Sequence, residues 1–121
     1  MSDLRTAAIK RIHELVESWA VQPDAVWLFG SAARGDGTVD SDVDLLVVRP
    51  VDLRADDTTW NEQTMGLNEH VLAWTGNRCD VLEYTAKELG VLARHNDPLV
   101  VEILHDAITI AGPAAREMIG R

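Results

Sequence analysis

The stretch "GSAARGDGTVDSDVDLLVV", Gly30 to Val48, sets three aspartates at alternate positions, Asp40, Asp42 and Asp44, directly against an apolar run. Side chains two apart on a strand point to one face, so a strand opening here presents Asp42 and Asp44 side by side. Carboxylates that close repel each other unless a cation sits between them. Such a pair of hard oxygen donors suits Mg²⁺, which is typically held by one or two carboxylates together with substrate phosphates. Upstream, Gly30 closes the apolar run "AVWLFG" (25–30), and Ser31 can open a helical turn whose backbone N–H groups and hydroxyl face an incoming phosphate. A glycine at that place lets the phosphate approach the backbone. Together the two halves describe a site for a Mg-bound triphosphate.

Two other templates fail on named residues. The phosphate-binding loop of nucleoside triphosphatases needs a lysine after its second glycine, and Asp36 stands there after Gly35. A calcium-binding loop counted from Asp40 needs a glycine where Leu45 stands and a closing glutamate where Val51 stands.

The remaining chain sets the limits. With 121 residues, of which 46% are apolar and 26% charged, it reads as one folded domain, 1–121, large enough to bury a core without staples. The start lacks the apolar core of a signal peptide and no stretch is long enough to span a membrane, so a cytoplasmic location is expected. Twenty acidic residues against 11 basic ones give a formal charge of −9 and no cationic stripe, which argues against stable nucleic-acid binding by the chain alone. The lone Cys79 reads as a buried, inert thiol.

Apolar spacing of three and four predicts a helix over 3–20, capped by Ser2 or Asp3, and a second over 56–77 with Gly76 at its C-terminal end. Strands are expected at 25–30, 43–48 and 78–84, and a last, edge strand at 107–112. Thr85 is placed to cap a helix over 86–95, and Asp97 with Pro98 to start another through 99–107. The fold class is therefore α/β (α+β), a small mixed β-sheet flanked by helices. Trp19, Trp60 and Trp74 fall on apolar helix faces and are expected in the core. His13, His70, His95 and His105 match no zinc motif and read as helix-surface side chains.

The opening stretch resembles the signature of the nucleotidyltransferase superfamily related to DNA polymerase beta: Gly30-Ser31, ten residues, then Asp42-Val43-Asp44. The short chain, with "GSAARGD" and the late "DPLVVEILHDAITIAG", looks like the minimal nucleotidyltransferase branch. The resemblance implies the nucleotidyltransferase fold and transfer of a nucleoside monophosphate, most often from ATP, to a hydroxyl with pyrophosphate leaving. It implies two Mg²⁺ ions, about 3.5–4 Å apart in such sites, clamping the attacking and leaving oxygens. Asp42 and Asp44 would bridge both ions, and Gly30 and Ser31 would fix the triphosphate. A third carboxylate on a later strand is implied, and Asp80 in "CDVLEY" fits it, although an ordinary strand-edge carboxylate would look the same. Arg34 either reaches the triphosphate or is a turn residue pairing with Asp36 or Asp40. Asp40 itself is expected outside the metal shell, as a turn or capping residue.

On 121 residues no separate domain for gripping a large acceptor is expected. Members of the branch it resembles are commonly paired with a small all-helical HEPN-type toxin, a ribonuclease, and in characterised cases transfer AMP to one of its tyrosines, acting as antitoxins; the resemblance implies the same here. Two alternatives stand beside that expectation: a binding-only antitoxin that occludes its partner, and an enzyme acting on a small hydroxylated molecule. Association is expected as a hetero-oligomer or a homo-oligomer.

Overall fold

The computed structural model describes residues 3–35 and 42–119. Expectations for Ser2, Asp36 and Asp40 lie outside the described residues. Among the described residues, ten elements follow in the order α1 (Asp3–Glu17), β1 (Ala25–Phe29), α2 (Gly30–Arg34), β2 (Val43–Arg49), α3 (Thr58–Thr75), β3 (Cys79–Thr85), α4 (Ala86–Arg94), α5 (Pro98–Asp106), β4 (Ile108–Ala111) and α6 (Ala115–Ile119).

The four strands form one mixed sheet in the order β3-β2-β1-β4, with β4 at an edge as its short, late position suggested. β1 pairs antiparallel with β2 and with β4, while β2 and β3 run parallel. A parallel pair needs a long crossover, and α3 supplies it. Both faces of the sheet are covered, which explains why "AVWLF" and "LLVV" read as continuous apolar runs rather than alternating ones. Val26, Leu28, Leu45 and Val47 face Ile12 and Val16 of α1 and Trp60, Leu67 and Val71 of α3. Trp27, Phe29, Leu46 and Val48 face Leu89 of α4, Val100 and Ile103 of α5, and Ile119 of α6. The molecule is thus two helical layers around a central sheet.

Gly76 closes α3 in the left-handed conformation, as read, while at the other end that helix starts at Thr58, with Asp57 as an unforeseen cap accepting from the Trp60 N–H. Thr85 and Glu88 form a reciprocal capping box on α4, and Asp97 with Pro98 opens α5. Three expectations are corrected. The first helix stops at Glu17, not Ala20, although Trp19 beyond it is buried and stacks edge-on against Trp60 at 6.0 Å. Gly30 does not end a strand but begins α2, and Trp74 is half-buried beneath the Arg11 guanidinium rather than inside the core. The four histidines are exposed, as expected.

Candidate active site

One end of the sheet gathers the C-terminal end of β1, the start of β2 and the start of β3. There Phe29 is opposite Asp44, and Asp44 is in turn opposite Asp80. Neighbouring strands are on the order of 5 Å apart, so the two aspartates stand side by side at the sheet end. The two-residue period puts Asp44 on the same face as Leu46 and Val48, and Asp80 on the same face as Leu82 and Tyr84, the side covered by α4, α5 and α6. Asp42 is exposed just before β2. Glu83 has the opposite parity to Asp80, is opposite Val47, and is tied up by Arg49 at 2.7 Å. It is not available as a third acid.

Asp44 shows what this crowding costs. Burial first, then the charges of Asp80, Asp42 and Glu102, raise its carboxyl above the ordinary aspartate range, while Arg34 opposes them. An acid whose folded value lies above its unfolded value binds its proton more tightly when folded. Its ionisation therefore costs stability, and the loss grows as pH rises from the ordinary aspartate range through the raised value. In EDTA at neutral pH, Asp44→Asn is expected to melt higher than wild type, with the difference vanishing toward acid pH. An equal or lower melting temperature at neutral pH would contradict this electrostatic reading. The neighbouring Cys79 is buried, and burial followed by Asp80 and Asp44 pushes its thiol up to about 12. That is the inert thiol expected.

Gly30 has a sharper reason to be glycine than open space for a phosphate. Its φ is +75, and a Cβ built there would run into the Asp44 carboxylate oxygen Oδ2. Absence of a side chain at Gly30 is what lets Asp44 lie against the β1–α2 turn. Gly30→Ala is expected to cost about 1–2 kcal/mol from the left-handed backbone alone, with the collision adding to it. Urea denaturation measures it, and a midpoint equal to wild type would remove the steric role. Ser31 follows, half-buried, with its carbonyl accepting from the Gly35 N–H at 2.9 Å.

Arg34, the last residue of α2, pairs with two carboxylates of α5: its Nη1 lies 3.4 Å from Glu102 and 3.8 Å from Asp106. Sequence reasoning did not bring Glu102 or Asp106 to the site, because their arrival depends on how α5 packs. The one available signal was their spacing, two acids four residues apart at the end of a helix. Asp80, partly exposed, also meets Arg78 at 3.4 Å across the surface. Among the described residues, no three His, Cys, Asp or Glu side chains close into a preformed metal cage.

The sequence matches the family model described as "Nucleotidyltransferase domain" over residues 9–108. The chain belongs to this nucleotidyltransferase family. No curated protein matches it by sequence. Solved structures that share its fold include a toxin–antitoxin complex with AMP-PNP, at 15% identity and a TM-score of 0.61, covering 93% of this chain and 84% of that one. Another is a tri-AMPylated Shewanella oneidensis HEPN toxin in complex with an MNT antitoxin, at 12% identity and a TM-score of 0.55, covering 96% and 84%. A third is an MntA–HpeT toxin–antitoxin mutant with two Asp-to-Glu substitutions two positions apart, at 13% identity and a TM-score of 0.59, covering 93% and 84%. These likenesses establish the nucleotidyltransferase fold for this family member. Among its described residues, no helix is long and apolar enough to cross a membrane.

Proposed function

We propose that this nucleotidyltransferase transfers AMP from ATP, with Mg²⁺, to a hydroxyl of a HEPN-type toxin, a tyrosine by preference, and so acts as an antitoxin in the cytoplasm. The observation that carries the reading is the in-register pair Asp44 and Asp80 at the sheet end, with Gly30 packed against Asp44. Residues 1–121 work as one catalytic domain. Its acceptor comes from outside, and the fold it shares with toxin–antitoxin complexes supports a toxin in that role.

The residues fit Mg²⁺. Asp42, Asp44 and Asp80 are hard oxygen donors, and their mutual repulsion, felt at Asp44, calls for a cation. They leave ligand positions open, which suits ions that share triphosphate oxygens and water. When bound, the metal supplies charge neutralisation for the phosphates and for the leaving pyrophosphate. The chain's own groups supply the rest. Ser31 at the β1–α2 turn donates its hydroxyl to the triphosphate, and Gly30 keeps that turn closed against Asp44. The acceptor oxygen bonds to the α-phosphorus as the bond to the bridging oxygen of pyrophosphate breaks. The acceptor proton passes to the Asp80 carboxylate.

Nucleotide binding must then depend on metal, because a bare triphosphate would meet an uncompensated acidic cluster. ATP with Mg²⁺ is expected to raise the melting temperature of the protein, and ATP in EDTA is expected to leave it unchanged. An equal rise in EDTA would overturn the metal assignment.

A further inference from the structure

The last turn of α5 is electrostatically awkward by itself. Glu102 and Asp106 stand four residues apart, a like-charge spacing that destabilises a helix, and they do so at its negative end. Asp106 is largely buried, its side chain 17% exposed. Two partners relieve the strain: the His105 imidazole Nδ1 lies 2.7 Å from the Asp106 carboxylate, and the Arg34 guanidinium reaches across from α2 to both acids. α2 in turn is a five-residue helix, too short to be stable unaided. It begins at Gly30, so whatever fixes α2 also fixes the turn beside Asp44.

We infer that Arg34 is a positioning residue: with Glu102 and Asp106 it clamps α2 onto α5 and so holds the Gly30–Ser31 turn in the geometry that receives the triphosphate. The inference rests on the proposed reading of the site as one for nucleotidyl transfer. It assigns Arg34 a role through the turn rather than through contact with phosphate, and it makes Glu102 and Asp106 part of nucleotide affinity although neither is a candidate ligand.

The test uses the full chain in four forms: wild type, Arg34→Gln, the pair Glu102→Gln with Asp106→Asn, and the three changes combined. Amide hydrogen exchange over residues 31–35, without nucleotide, is expected to quicken in all three variants to a similar degree. The Kd for ATP with Mg²⁺ is expected to rise about three- to tenfold in each, the loss of a partly exposed charged network, with the combined variant no worse than the singles. Arg34→Lys should restore much of both. If Arg34 instead touches the triphosphate, Arg34→Gln weakens ATP while the carboxylate pair of substitutions leaves it unchanged or tightens it, and the clamp is overturned. Unaltered exchange in both sets of variants overturns it too. Quickened exchange in a protein whose wild type binds no ATP would keep the clamp and sink the proposed nucleotide site, so the two failures are distinguishable.

Discussion

AMP transfer by the variant carrying Asp42→Asn and Asp44→Asn is expected to fall on the order of 10³-fold or more, since the metal stabilisation it forfeits amounts to several kcal/mol. The same variant is expected to show no melting-temperature rise with ATP and Mg²⁺. It should nevertheless fold well. Burial and three neighbouring acids already oppose ionisation of Asp44, and an amide of the same size removes that opposition. Loss of activity beside unchanged or raised stability in EDTA is a signature that unfolding cannot imitate. Retained transfer would mean that the pair at the head of β2 is not where the metal is held.

Asp80→Asn carries the second large effect, and of a different kind. Asp80 is opposite Asp44, its side chain is 44% exposed, and it lies on an edge strand of the sheet. It is placed to meet an acceptor coming from outside more than a triphosphate held at the β1–α2 turn. ATP affinity is therefore expected to stay within several-fold of wild type, while single-turnover transfer falls about 10²–10⁴-fold, the usual contribution of a positioned base. Glu83 cannot substitute, because it belongs to the other face of β3 and is paired with Arg49. Near-normal transfer would return Asp80 to an ordinary surface carboxylate paired with Arg78.

The two effects trace back to unequal legibility in the sequence. Asp42 and Asp44 could be read from the chain because charge beside an apolar run is anomalous in itself, and their shared face follows from the two-residue period of a strand. Thr85, Asp97 and Gly76 were legible for a similar reason: caps are local chemistry. The partnership of Asp44 with Asp80 was open to resemblance but not to pattern, since the register of a parallel pair is set by how the α3 crossover packs, not by either strand. Gly30 was marked as special, yet the atom that demands its missing side chain, Asp44 Oδ2, lies on another strand. The short helices escaped altogether in the case of α6, whose five residues are too few to display a helical period. For Arg34, read as reaching either the triphosphate or the nearby Asp36 or Asp40, the chain offered only local carboxylates as ion-pair partners, whereas its partners on α5 lie 68 and 72 positions away in the chain.

The most direct test of the central claim is the intact mass of the partner. The chain is co-expressed with a small all-helical HEPN-type toxin, purified as a complex, and incubated with ATP and Mg²⁺. The partner is expected to gain one or more AMP units, on a tyrosine, and to gain none in EDTA or with the Asp42→Asn, Asp44→Asn variant. A partner that stays unmodified under all conditions yet remains silenced in the complex would contradict catalysis and favour silencing by occlusion.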